Sequence, residues 1–346
     1  MGYSGMVCGQ AAWVILLGAY MGGCGDGSSN ANAAGGGNNA SGGDSVAGSS
    51  ASGASGTGAG GTASAGRASG GTASGGAAAA APLDCTGDFG SPTNAIAEVD
   101  GIQIASPTLS PDQRELIYTR IDYGTTLWTF VHALRGSSSE AFSPATALPE
   151  LDAACQTAEN RSIDLSSDGL RAYIDCYSET PGSATLHVAD RASLQASFVV
   201  RATSQPIGGS SAAISTDELT LYSNDDTPVG VSPLRYQRAT TNDDFGPAQP
   251  ISELAGVSVF SVDPSPDGLA LYAGVTSSLG VVRRSSVTEK YGLPTVLVAQ
   301  QTVIGPPRKD YVYGAPELSH DCRSLYFVQQ DTASPSLNGS ILVLKR

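Results

Sequence analysis

Lysine is nearly missing from this 346-residue chain: Lys290, Lys309 and Lys345 are all it has. The formal net charge is −14. A polyanion is held by a basic surface that releases counterions, and no such surface can be built here, which excludes nucleic acid as a partner. The same balance argues against adsorption to anionic lipid headgroups and fits a self-repelling, soluble surface. None of the six cysteines forms a C-x-x-C pair, so zinc-site and thioredoxin-like chemistry lack their usual signal. There is no G-x-S-x-G elbow, phosphate loop or H-E-x-x-H pair, the usual carriers of hydrolase, nucleotide and metalloprotease chemistry. His132, His187 and His320 show no triad arrangement. The first two fall on expected strands as structural residues, and the third takes a turn position held by proline in two sister copies. No cofactor or resident metal is implied.

What is present divides the chain into three parts. Residues 11–21, AAWVILLGAYM, are an apolar run of signal-peptide length, short for a bilayer span. The run leads into Met-Gly-Gly-Cys, which resembles the lipobox of bacterial lipoproteins, with Met21 where leucine is usual and Cys24 as the lipidated residue. The first basic side chain is Arg67, so only the α-amino group charges the leader. From Gly25 to Ala81, 46 of 57 residues are Gly, Ala or Ser. Such a stretch has almost nothing to bury against the entropy of ordering. Residues 1–23 are therefore read as a lipoprotein-type signal peptide, 24–82 as a lipid-anchored disordered linker, and 83–346 as the folded domain. A flexible tether of this length reaches roughly 40 Å. The expected address is the bacterial cell envelope, anchored to the outer membrane by lipid alone, or secretion if Cys24 is not lipidated.

The folded part repeats. TLSPDQRELIY, DLSSDGLRAYI, AISTDELTLYS, DPSPDGLALYA and ELSHDCRSLYF share Ser-x-Asp followed by an apolar strand. Their aspartates are Asp112, Asp168, Asp217, Asp267 and Asp321, preceded by Ser110, Ser166, Ser215, Ser265 and Ser319. Five places later stands Tyr173, Tyr222, Tyr272 or Tyr326, with Ile117 in the first unit. The pattern predicts a hairpin with a short polar turn, in which each aspartate caps its own turn. A third strand ends near Arg135, Arg191, Arg238, Arg284 or Arg346. A fourth segment opens on an aromatic: Phe142, Phe198, Phe245, Tyr291 and, N-terminal to all the repeats, Phe89. Four short strands over about fifty residues make a propeller blade.

These segments resemble the WD-like repeats of TolB-type propellers and of the propeller lipoproteins frequent in myxobacteria. The resemblance implies an all-β, five-bladed β-propeller over most of residues 85–346; it does not fix a function. The order of pieces predicts closure by the N-terminal strand: Phe89–Val99 arrives as a lone fourth strand, and the last repeat lacks one. Exported chains keep disulfides. Cys85–Cys322 would lock the closing blade and Cys155–Cys176 would lie within the second unit, a pairing favoured over the two other connectivities.

Four positions before each repeat aspartate stand Thr108, Asp164, Ala213, Asp263 and Glu317, expected on innermost strands. Three carboxylates around a channel can be read as a glycosidase acid pair with a tuning acid, or as a divalent-cation site. The plainer alternative is that each bonds amides of its own hairpin turn. Trp128 and Phe130 on a third strand are expected to pack between blades, with sugar stacking by an exposed Trp128 as the alternative. Two polar stretches, Ser223–Ser232 and Ala299–Asp310, are expected to be irregular binding loops. The leading functional expectation is a monomeric, non-enzymatic module binding an envelope protein or glycan. The alternatives are a glycoside hydrolase using Asp164, Asp263 and Glu317, and a structural module beside a Tol-Pal-like complex.

Overall fold

Each repeat turn is built by the same hydrogen bonds. The serine hydroxyl donates to the aspartate Oδ1 at 2.5–2.7 Å in all five copies. That same Oδ1 accepts the amide two residues on, from Arg114, Leu170, Leu219, Leu269 and Arg323. The residue after the aspartate is left-handed each time: Gln113, Gly169, Glu218, Gly268 and Cys322. The turn geometry, and not a glycine, is what the repeat demands. The five aspartates are structural caps.

A computed structural model describes residues 83–99, 101–122, 127–155, 160–177, 184–225, 232–303, 309–333 and 338–346. The apolar run expected to be a signal peptide, Cys24 and the Gly/Ala/Ser tract lie outside the described residues. Nearly every described element is a strand. The first blade is β2 (Ile102–Leu109), β3 (Glu115–Asp122), β4 (Leu127–Leu134) and β5 (Thr146–Ala147). The second is β6 (Asn160–Leu165), β7 (Arg171–Tyr177), β8 (Ala184–Asp190) and β9 (Val199–Ile207). The third is β10 (Ser210–Ile214), β11 (Thr220–Asp225), β12 (Ser232–Gln237) and β13 (Gln249–Pro250). The fourth is β14 (Val259–Pro264), β15 (Ala270–Val275), β16 (Ser278–Arg283) and β17 (Thr295–Val298). The fifth runs β18 (Gln301–Val303), β19 (Lys309–Leu318), β20 (Ser324–Asp331) and β21 (Gly339–Lys345), and takes its outer strand from β1 (Thr93–Val99). The inner strands pack in a closed circuit, β2 on β6, β6 on β10, β10 on β14, β14 on β19 and β19 on β2. This is a five-bladed β-propeller.

The core is five wedges, one per joint between blades. Ile117, Phe130 and Leu151 of the first blade, for example, pack on Ile163, Ala172 and Ile174 of the second. The arginine and the aromatic of each unit form the outer part of the wedge. The guanidinium carbon lies 4.2 Å from the Phe142 ring centroid (Arg135), 4.4 Å from Phe198 (Arg191), 4.3 Å from Phe245 (Arg238), 4.6 Å from Tyr291 (Arg284) and 4.2 Å from Phe89 (Arg346). Such a stack is worth roughly 0.5–2 kcal/mol. Arg135, Arg238 and Arg346 also donate to Tyr326, Tyr173 and Tyr272 of the preceding blade. Where Ile117 replaces that tyrosine, Arg191 turns to Glu115 Oε2 at 2.7 Å and its Nη2 is left without a partner. Glu115 also meets His132 Nδ1 at 2.7 Å, which gives that histidine a structural place.

The closing joint obeys the same rule with pieces from both ends of the domain. β1 pairs antiparallel with β21, Phe89 stacks under Arg346, and Arg346 Nη2 donates to the Cys85 carbonyl at 2.8 Å. Cys85 is bonded to Cys322, and Cys155 to Cys176.

The fourth segments correct the sequence reading. FSPATALPEL and FGPAQPISEL, its best-matched copies, give strands of only two residues, followed by a helical turn at Pro149–Asp152 and a 3-10 turn at Ser252–Leu254. Their prolines cannot donate to a ladder. The weaker copy after Phe198 forms the long β9. Of the two stretches expected to be loops, Ser223–Asp225 belong to β11 and Ser232 opens β12, while Gln301–Val303 form β18 on β19.

Removing the Cys85–Cys322 bond should open the closing joint, because it ties residues 237 apart. Replacing both cysteines by serine is expected to cost about 2–5 kcal/mol, read as a lower unfolding midpoint. An unchanged midpoint would mean that the β1–β21 pairing alone closes the ring.

Candidate functional site

The channel is built in layers because residues two apart on a strand share a face. The deeper layer holds Thr108, Asp164, Ala213, Asp263 and Glu317, all buried. Its carboxylates do not bond their own turns, as the plainer sequence reading had it. Each reaches the next blade. Asp164 Oδ2 accepts the Ile214 amide at 2.6 Å, Asp263 Oδ2 the Leu318 amide at 2.6 Å, and Glu317 Oε1 the Leu109 amide at 2.8 Å. Thr108 Oγ1 accepts the Leu165 amide at 3.1 Å. Four of the five joints are thus stitched by one rule, in which the side chain of one inner strand takes the amide one residue further along the next.

The fifth joint explains itself. Between the third and fourth blades the acceptor position is Ala213 and the donor position is Pro264, which has no N–H. A carboxylate there would have nothing to bond. The joint is bridged instead by Asn224, whose Nδ2 donates to the Phe260 carbonyl.

The three acids crowd each other. Thr108 Oγ1 lies 3.0 Å from Asp164 Oδ1 and 3.3 Å from Glu317 Oε1. Burial pushes Asp164 up to about 6, against the pull of its amide bonds. Burial, and then the charge of Asp164, raises Asp263 well above the carboxylate range. Glu317 is raised by burial first and by Asp263 and Asp164 next. Among the described residues no group of three or more His, Cys, Asp or Glu is placed to hold a metal ion.

The upper layer is open. A cavity of about 110 Å³ lies against all five inner strands, lined by Ser106, Ser162, Ser211, Ser261 and Ala315, six positions before the repeat aspartates. Trp128, Tyr177, Phe260 and Tyr313 supply aromatic walls, and Gln103 and Gln330 supply amides. Trp128 therefore faces the channel mouth, while Phe130 packs between blades one and two. The inner strands are bulged at this level: register shifts fall between Ala105 and Thr108, Ser210 and Ala213, Val259 and Ser261, and Gly314 and Glu317. Ser106, Ser211 and Ala315 take positive φ of 45°, 60° and 46° there. Non-glycine residues in that region cost about 1–3 kcal/mol each and gather at binding sites.

The serine ring was readable in the sequence at a fixed offset from the repeat aspartates. The bulges that turn it into a cavity were not. Bonds across the mouth also serve the joints: Ser162 Oγ accepts the Ala212 amide at 3.2 Å, and Ser261 Oγ the Ala315 amide at 2.8 Å. Arg161 is tied to Asp152 at 2.8 Å and to the Cys155 carbonyl at 3.0 Å.

No family model and no curated protein matches the chain. Solved structures similar to it include TolB from Acinetobacter baumannii, at 12% identity and a TM-score of 0.40 over 69% of this chain and 54% of that one. The chain thus spans about half the length of that TolB chain. A gluconolactonase from Xanthomonas campestris aligns at 9% identity and a TM-score of 0.42, over 73% of this chain and 88% of that one. A nidogen/laminin complex aligns at 12% identity and a TM-score of 0.39, over 68% and 78%. At these identities the likeness concerns the propeller fold, not a ligand.

The buried acids make stability depend on pH. Their folded pKa values lie above the unfolded ones, so the folded ring favours the protonated forms. That contribution is whole below the unfolded values, 3.8 for the aspartates and 4.5 for Glu317, and is lost as pH rises through about 6 for Asp164 and through the raised values of Asp263 and Glu317. The melting temperature should fall from pH 5 to pH 8, and Asp263→Asn should flatten the slope. A melting temperature that rises over this range would contradict the assignment.

Proposed function

We propose that the protein is an exported, membrane-tethered β-propeller that serves the bacterial cell envelope as a monomeric, non-enzymatic recognition module, taking a glycan or protein partner at the channel mouth. The observation that carries this reading is the division of labour inside the channel. The acids that could do chemistry are buried and committed to amides of neighbouring blades. The open cavity above them offers hydroxyls, amides and aromatic faces. Glycoside hydrolysis needs two carboxyl groups about 5–10 Å apart on either side of the scissile bond. Among the described residues the cavity wall supplies one carboxylate, Asp175.

Export is supported by the two disulfides, which belong to oxidising compartments. No helix among the described residues is long and apolar enough to cross a membrane. The tether is assigned to a lipid on Cys24 from the Met-Gly-Gly-Cys sequence that ends the apolar run. A linker of Gly, Ala and Ser after that cysteine, as the composition of residues 25–81 reads, would give a tethered ring the reach to meet a partner.

Fractionation tests the address. In a bacterial host that processes lipoproteins, the full chain should sediment with membranes, and Cys24→Ser should move it to the soluble periplasmic or culture fraction. A Cys24→Ser chain that still sediments with membranes would remove the lipid anchor from the account.

A further inference from the structure

We propose that the mouth cavity is a saccharide site, in which a pyranose ring lies against Trp128 and its hydroxyl groups bond the polar floor. This inference rests on reading the mouth face as the binding surface and names the class of ligand it takes.

Three buried polar atoms of residues lining the cavity have no partner: Ser210 Oγ, Gln330 Nε2 and Arg161 Nε. Ser210 and Gln330 are only 4% and 6% exposed. Buried polar groups are normally paired, because leaving one unmade costs about 1–3 kcal/mol. One such atom is a local irregularity. Three around one cavity describe a ligand, or the water it displaces. The two N–H groups can only donate and the hydroxyl can donate as well as accept, so the missing partner must offer acceptors. A sugar hydroxyl accepts, and can donate to the serine in return.

The walls narrow the class further. An aliphatic ligand would leave the floor unpaired. An anion would meet the Asp175 carboxylate, while the Arg161 guanidinium is already held by Asp152. A pyranose has hydroxyls on its rim and a C–H face that stacks on an aromatic ring, and Trp128, Tyr177, Phe260 and Tyr313 stand at the cavity. The volume of about 110 Å³ is many times what one water needs, which is about 10–15 Å³, so one sugar unit can displace an ordered cluster. The left-handed Ser106, Ser211 and Ala315 sit in the bulges of three of the five inner strands that line this space. Such strain persists where the surrounding ring over-determines it.

The chain carries its own reporter. It has two tryptophans, Trp13 and Trp128, so a full chain with Trp13→Phe leaves Trp128 as the sole indole. This protein is titrated with glucose, galactose, mannose and N-acetylglucosamine, and with their disaccharides, while Trp emission is recorded. Inorganic phosphate and a neutral hexapeptide are the comparison probes. At least one sugar should give a saturable emission change. Gln330→Ala and, separately, Ser106→Ala should weaken it about tenfold, the equivalent of about 1.4 kcal/mol, with the melting temperature checked for each. If no sugar shifts Trp128, the saccharide assignment is overturned. If the hexapeptide alone shifts it, the sugar class falls while the mouth remains a binding surface. If none of the probes, sugar, phosphate or hexapeptide, shifts Trp128, both the saccharide cavity and the mouth reading fall.

Discussion

The ring depends on a single hydrogen bond repeated across its joints: an inner-strand side chain accepting the amide one step along the next blade. Further out, the tyrosine of one blade bonds the arginine of the next at three joints, and at every joint the aromatic of the fourth segment lies against that arginine. The acceptor is a carboxylate at three joints and a hydroxyl at one, where Thr108 takes the Leu165 amide at 3.1 Å. At the remaining joint donor and acceptor are missing together, in Pro264 and Ala213. That paired loss is hard to reconcile with a catalytic purpose for the acids. A reactive group has no reason to vanish where a proline removes an amide, whereas a stitch does.

Carboxylates are costly stitches, because a buried charge is desolvated and the three here lie near one another. Two features make them tolerable. Each receives a short bond from an amide, and at least some of the charge can be relieved by protonation, as the upward shifts of all three show. A neutral carboxyl still accepts through its carbonyl oxygen, so the stitch survives protonation. The arrangement suits a rigid ring, and a rigid ring is what a preformed cavity at its mouth requires.

Much of this architecture was legible in the residues. Ser-x-Asp repeated five times gave the hairpins and the count of blades. The arginines and the aromatics, from Phe89 to Tyr291, were visible as recurring positions, though nothing in their spacing said that they would touch. The strand order around the ring also placed Cys85 beside Cys322. What stayed hidden has physical reasons. The short fourth strands of the first and third blades follow from prolines inside otherwise well-matched segments. The destination of Asp164, Asp263 and Glu317 was hidden because pattern reading pairs a side chain with its own turn, while the ring offers an amide of the next blade. The mouth cavity depends on bulges at Ser106, Ser211 and Ala315, and a bulge changes which face a residue occupies without marking the sequence.

The most direct test of this account is amide hydrogen exchange, resolved by residue, at Leu109, Leu165, Ile214 and Leu318. If the inner-strand stitches hold the ring together, these four amides exchange only through global unfolding and are among the slowest in the protein. Exchange at rates like those of the exposed hairpin turns, with the rest of each blade still protected, would mean that the blades are joined by their outer wedges and that the stitches are incidental.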